Sequence, residues 1–129
     1  MQIQRFKNSL AENELYWLGG FIDGEGCFYL VPERVRKAHG KEYTSHDIQF
    51  VLGQSGDAGK ELLVYLASSF DLGKVSQTNG SNLSKKTPYQ WRFGGKDAVD
   101  FAEFMLPYLN LKKKKAQEIV DFWKTKYAN

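Results

Sequence analysis

Apolar side chains recur along this chain in two alternating rhythms. Leu15, Leu18 and Ile22 fall at helical spacing and predict a first helix ending near Asp23. Ser9 to Glu12 has the spacing of a capping box ahead of it, and Asn13 is an alternative cap. Cys27 to about Arg36 reads as a strand, with Pro32 marking an edge or a bulge. Residues 37–42 hold Gly40 and charges and read as the turn of a long hairpin. Tyr43 to Gln54 then alternates cleanly, with Ile48, Phe50 and Leu52 on one face and Ser45, Asp47, Gln49 and Val51 on the other. Residues 53–59 read as a loop. Lys60 to about Phe70 carries the helical stripe Leu62, Leu63, Leu66 and Phe70. After a turn at 71–73 come a short strand, Lys74 to Thr78, a polar hairpin loop over 79–86, and a fourth strand, Pro88 to Phe93. In that strand Tyr89, Trp91 and Phe93 oppose Gln90 and Arg92. Lys96 to Leu106 predicts a helix burying Val99, Phe101, Ala102 and Met105, and Pro107 breaks it. Lys112 to about Tyr127 predicts a last helix with Ala116, Ile119, Val120 and Trp123 on one stripe.

The order is helix, two strands, helix, two strands, two helices, with no internal repeat. Hairpin-linked strands make the sheet antiparallel. The expected class is α+β: an αββαββα core with a four-stranded antiparallel sheet, helices on one face and a further C-terminal helix, all in a single domain over residues 1–129. The sheet's other face would carry Ser45, Asp47, Gln49, Lys74, Ser76, Thr78, Gln90 and Arg92. Hydrogen-bonding side chains mixed with cations are what reading base edges in a groove requires, although such a face is also ordinary on a solvated sheet.

Composition narrows the class. Of 129 residues 42% are hydrophobic and 15% aromatic, which is globular rather than disordered. The net charge is only +3, yet its cations cluster at Lys112 to Lys115, Lys85-Lys86 and Arg34 to Lys37. Such runs usually mark a solvated face, and they permit an anionic partner. The single cysteine, Cys27, excludes an internal disulfide and reads as a buried thiol. His39 and His46 show no ligand spacing. No apolar run approaches a membrane span and no secretory signal precedes the first helix, so the expectation is a soluble intracellular protein.

The stretch Leu18-Gly19-Gly20-Phe21-Ile22-Asp23-Gly24-Glu25-Gly26 carries the candidate chemistry. Glycine inside a helix costs about 1 kcal/mol relative to alanine, so Gly19 and Gly20 call for a close backbone approach. Asp23 and Glu25 are carboxylates at a helix C-terminus, where the dipole disfavours them. The stretch closely resembles the signature of the LAGLIDADG homing endonucleases: Leu18, Gly20, Ile22, Asp23 and Gly26 match the motif, and Gly19, Phe21, Gly24 and Glu25 are substitutions of a kind that family shows.

The resemblance implies a DNA-binding saddle built on the sheet, and a catalytic divalent metal, Mg²⁺, held by Glu25 with help from the Gly24 carbonyl. Phosphodiester hydrolysis needs such a cation near the scissile phosphate. It also implies that Gln54, ending the second strand, orients water, that a basic residue follows it, with Lys60 the nearest, and that Lys112 in Pro107-Tyr-Leu-Asn-Leu-Lys112 assists the site. One motif per chain implies a homodimer through Leu15, Leu18, Gly19, Gly20, Ile22 and Asp23, with Asp23 closing the junction between the two motif helices. A symmetric reader implies a near-palindromic double-stranded DNA target, on the order of 20 base pairs. The implied activity is site-specific, metal-dependent double-strand cleavage by an intron-encoded enzyme, in an organelle (mitochondrion or chloroplast) or a bacterial or phage host cell. The competing readings are a non-cleaving intron maturase of the same fold, a repressor-like DNA binder, and an α+β interaction module with a glycine-packed dimer helix.

Overall fold

The computed structural model describes residues 2–79 and 86–128. A 3-10 turn over Gln2–Phe6 precedes α1 (Glu12–Glu25). Then follow β1 (Gly26–Ala38), β2 (Lys41–Ser55), α2 (Gly56–Phe70), β3 (Lys74–Gln77), β4 (Pro88–Gly94) and α3 (Lys96–Met105), a second 3-10 turn (Leu106–Tyr108), and α4 (Lys113–Lys126). The order of elements is the one the apolar rhythm predicts. The expected 79–86 loop, including Lys85, lies largely outside the described residues.

Both hairpins are antiparallel, and β2 also pairs antiparallel with β4, giving the sheet order β1-β2-β4-β3. One face is covered by helices. Ile48, Phe50, Leu52, Phe28, Trp91 and Phe93 point into it and are buried, as strand alternation requires. They pack on Leu63, Leu66 and Phe70 of α2, on Ala98, Val99, Phe101 and Ala102 of α3, and on Ala116, Ile119 and Val120 of α4. Rings dominate this core: Phe50 lies 4.9 Å from Phe101 and 5.2 Å from Phe93. The Trp91 indole N–H donates to the Leu72 carbonyl at 2.7 Å, so the largest buried ring leaves no polar atom unpaired. Asp100, the one buried charge among the described residues, is neutralised by Lys96 at 2.6 Å and Arg5 at 3.0 Å.

Several local expectations are corrected. The cap of α1 is Ala11, and Glu14 reaches back to accept its N–H at 3.2 Å, so neither Ser9 nor Asn13 caps the helix. The helix also runs through Glu25 instead of ending at Asp23, because Gly26 N–H still closes a helical bond onto the Ile22 carbonyl. The β1–β2 turn is two residues long, with His39 and Gly40 both at positive φ, instead of spanning 37–42. There is no loop over 53–59. β2 continues to Ser55, and Gly56, at φ +79, reverses the chain in one step into α2. Cys27 is only half buried and lies on the uncovered sheet face, since its neighbour Phe28 takes the inward position. No described helix is long and apolar enough to cross a membrane.

Candidate functional site

α1 feeds directly into β1, so its C-terminal carboxylate is delivered to the end of the sheet. Gly26 pairs with Leu52, and Leu52 with Trp91, which brings the last turn of α1 beside the ends of β2 and β4. There an open cavity of about 440 Å³ is lined by Glu25, Gly53, Gln54, Ser55, Thr78, Lys86, Pro88, Tyr89 and Gln90. Glu25 and Gln54, 29 residues apart in sequence, therefore share one cavity. Gln54 is backed by Gly59 of α2, where an added Cβ would lie 2.8 Å from the Gln54 Cβ.

Lys112 does not line that cavity, but it is held next to Glu25 in sequence. Its ammonium donates to the Gly26 carbonyl at 2.6 Å, next in sequence to Glu25. It is the N-cap of α4 and half buried, unlike its exposed neighbours Lys113 to Lys115. Lys60 is placed differently from the expectation of a loop residue. It sits on α2, with its ammonium 5.3 Å from the centre of the Tyr89 ring, and it lines a separate cavity with Asp57, Glu61 and Val64. The cation that does line the Glu25 cavity is Lys86, which the sequence shows only as part of a polar run. Its stem lies along Gly56, where an added Cβ would be 3.4 Å away.

Among the described residues no group of three or more His, Cys, Asp or Glu side chains could hold a metal ion. The exposed Glu25 carboxylate, the Gly24 carbonyl and the Gln54 amide are all oxygen donors. That set suits a hard divalent cation bound through one or two carboxylates, with waters and a substrate phosphate completing the shell.

The uncovered sheet face holds what the alternation assigned to it. Pairing puts Lys74, Arg92 and Val51 side by side, then Ser76, Gln90 and Gly53, while Asp47 and Gln49 lie opposite Val31 and Tyr29. Thr78 lies just past β3 and lines the Glu25 cavity. Arg34 and Arg36 join the face unanticipated: Arg34 reaches Asp47 at 3.5 Å, and Arg36 donates to the Ser45 hydroxyl at 3.1 Å. The Gln49 amide donates to Asp47 at 3.1 Å. Nearer the cavity, a hydrogen bond to Cys27 holds the Tyr29 phenol above its ordinary pKa, while the positive Arg92 pulls it down. Cys27, Tyr29 and Arg92 are thus neighbours on the open face.

The expected dimer residues divide. Leu15, Leu18, Gly19 and Ile22 are buried within this chain, and the three apolar side chains pack into its own core. Gly19 faces the Tyr108 backbone of its own chain. Asp23 also turns inward, accepting N–H groups from Asn110 and Lys112 at 2.8 and 2.9 Å. Only Gly20 of that set is exposed, with open space where a Cβ would stand. It shares a face of α1 with Asn13, Trp17 and Gly24, and Trp17 is 49% exposed while stacked on Phe21 at 5.2 Å.

The family model described as LAGLIDADG endonuclease matches residues 18–129. No curated protein sequence matches the chain. Solved structures share the fold, and three of them serve as examples. The homing endonuclease I-CvuI in complex with the I-CreI target is 19% identical, with a TM-score of 0.65, over 90% of this chain and 69% of that one. The archaeal intron-encoded homing endonuclease I-Vdi141I complexed with DNA is 16% identical, with a TM-score of 0.63, over 85% and 66%. The LAGLIDADG meganuclease I-AabMI bound to uncleaved DNA is 22% identical, with a TM-score of 0.66, over 87% of this chain but only 39% of that one.

Proposed function

The chain belongs to the LAGLIDADG endonuclease family, and on that premise we propose that two copies of it form a metal-dependent, site-specific DNA endonuclease. The observation that carries this is that Glu25 and Gln54 line one cavity, while the Lys112 ammonium is held on the Gly26 carbonyl, next in sequence to Glu25. The open sheet face, with Arg34, Arg36, Lys74 and Arg92 among amides and hydroxyls, lies against the duplex. Its cations meet phosphates, and Arg92, Gln49 and Gln90 meet base edges.

In this reading Glu25 and the Gly24 carbonyl would hold a divalent cation, Mg²⁺ by donor chemistry. A cation bound there supplies Lewis-acid assistance to the scissile phosphate and makes a nearby water more acidic. The Gln54 amide orients that water by hydrogen bonding. The Lys112 ammonium stabilises negative charge as it develops on the phosphate, in a cleft where water is displaced and such charges interact more strongly.

A double-strand break requires two such sites, and this chain carries one. The free face of α1, with Trp17, Gly20 and Gly24, provides a two-fold contact that brings the two Glu25 residues toward the axis. A two-fold reader takes a near-palindromic site. Glu25→Gln should abolish cleavage of such a duplex in Mg²⁺ while leaving its binding affinity largely unchanged. A variant that still cuts at more than about a hundredth of the normal rate would remove Glu25 from the chemistry. Selecting cut sequences from a library of long near-palindromic duplexes tests the activity itself, and binding without cutting by the wild-type protein would favour the maturase reading.

A further inference from the structure

α4 begins badly on electrostatic grounds. Four lysines, Lys112 to Lys115, stand where the helix dipole is positive, its first turn has no acid, and no side chain of its own caps it. α1 ends badly too, with Asp23 and Glu25 where the dipole is negative. The structure joins the two faults. One Asp23 carboxylate oxygen accepts the Asn110 N–H at 2.8 Å, and the other accepts the Lys112 N–H at 2.9 Å. Asp23 thus satisfies, from another helix, the N–H of the α4 N-cap residue and that of Asn110 just before it, and both oxygens are used on backbone rather than on an ammonium.

The residue between those two N–H groups, Leu111, is 79% exposed and has no apolar packing to hold it. The Asp23 bonds on either side of it therefore fix the path of 110–112, together with the turn bond from the Lys113 N–H to the Asn110 carbonyl at 3.4 Å and the first helical bond onto the Lys112 carbonyl at 3.0 Å. From that path the Lys112 side chain reaches the Gly26 carbonyl at 2.6 Å, one residue past Glu25. Asp23 sits two residues before Glu25 in the same helix, so it ties the source of the carboxylate to the source of the cation.

We propose that Asp23 is a positioning residue for Lys112: its carboxylate sets the distance between the Lys112 ammonium and the Glu25 cavity, and through that the rate of phosphodiester cleavage. The proposal rests on the endonuclease reading above and concerns a part of the site that the carboxylate–metal chemistry leaves unassigned. It also gives the first acid of the motif a role inside its own protomer, rather than at the junction between two.

The test is a double-mutant cycle on single-turnover cleavage at saturating DNA. Lys112→Met alone should slow the reaction by roughly 10²-fold. Asp23→Ala should slow it by about 10-fold or more, since a displacement of about 1 Å at such a group can cost 10²-fold. Duplex affinity should change less than about threefold for each, because the sheet makes most contacts. The decisive result is the double variant. If Asp23 acts through Lys112, it should be no slower than Lys112→Met alone. A merely structural loss would instead multiply the two effects, and that product, or a wild-type rate for Asp23→Ala, overturns the proposal. If Asp23→Ala does not fold, Asp23→Asn keeps the shape and one acceptor oxygen, and the same cycle is read with it. Failure of the endonuclease reading looks different: the wild-type protein would then cut no duplex, and the proposal would fall with it.

Discussion

Adjacent glycines in α1 should respond in opposite ways to the same added methyl group. At Gly19 a Cβ would stand 1.9 Å from the Tyr108 carbonyl oxygen, 2.6 Å from its carbon and 2.8 Å from the Tyr108 Cβ. The obstruction is backbone, so no rotamer change relieves it, and α1 must move away from the 106–108 turn by more than about 1 Å. Overpacking of this kind costs about 1–3 kcal/mol, and a backbone collision belongs at the upper end. Replacing a helical glycine by alanine returns about 1 kcal/mol of helix propensity. Gly19→Ala should therefore lose about 2 kcal/mol net, lowering the Tm by roughly 6–12 °C for a chain of this size. At Gly20 nothing lies within 4 Å of the added atom, so within one protomer only the propensity gain of about 1 kcal/mol remains. If Gly20 faces its own copy across a two-fold axis, each substitution enters the interface twice. At even about 1 kcal/mol per side, Gly20→Ala raises the dimer dissociation constant by roughly 30-fold. Sedimentation across a dilution series reads the second effect. Urea melts at two protein concentrations read the first, because only a dimer's midpoint moves with concentration. A Gly20→Ala dimer as tight as wild type would place the interface elsewhere. A Gly19→Ala protein of wild-type stability would refute the packing of α1 against Tyr108.

Lys86→Met should reduce the single-turnover cleavage rate at least about tenfold more than Lys60→Met, because Lys86 lines the Glu25 cavity while Lys60 is drawn over the Tyr89 ring. The reverse order would return the second basic role to Lys60. Arg92→Ala should relax preference at one or two symmetric positions of the target, by about 1–3 kcal/mol each, without moving the cut. Neutralising Lys113 to Lys115 should weaken binding to all sequences and flatten its salt dependence, and a preference profile unchanged by Arg92→Ala would show that Arg92 contacts only phosphate.

The order of elements, the antiparallel pairing and the inward set Ile48, Phe50, Leu52, Trp91 and Phe93 were all legible, because period-two and period-3.6 patterns carry them directly. What the pattern could not say is which surface covers an apolar stripe. Leu15, Leu18 and Ile22 form a helical stripe that fits a partner helix and the chain's own core equally well, and the core takes it. Glycine was ambiguous in the same way. Gly53, Gly56 and Gly59 together look like a loop, yet one lies in a strand, one makes a single-residue reversal, and one lets α2 approach Gln54. Lys86 was invisible as a site residue because only the pairing of β4 with β2 carries its end of the strand to the Glu25 cavity.

Which cations reach the open face depends on one irregularity. From Cys27, alternation along β1 would turn Tyr29, Val31, Glu33 and Val35 outward. The pairing instead slips between Val31, opposite Asp47, and Arg34, opposite Ser45: three steps on β1 against two on β2. Such a bulge exchanges the faces of everything beyond it. Pro32 supplies the reason, since it has no N–H to give to the ladder at the point where one residue goes unpaired. Beyond it Arg34 and Arg36 take the outward positions, and their bonds to Asp47 and Ser45 fix them there. A strand that would have presented a carboxylate and a valine to the open face presents two guanidinium groups. A proline that looks like a flaw in a strand thus decides that arginines stand at the far end of the β1–β2 hairpin on the surface assigned to the duplex.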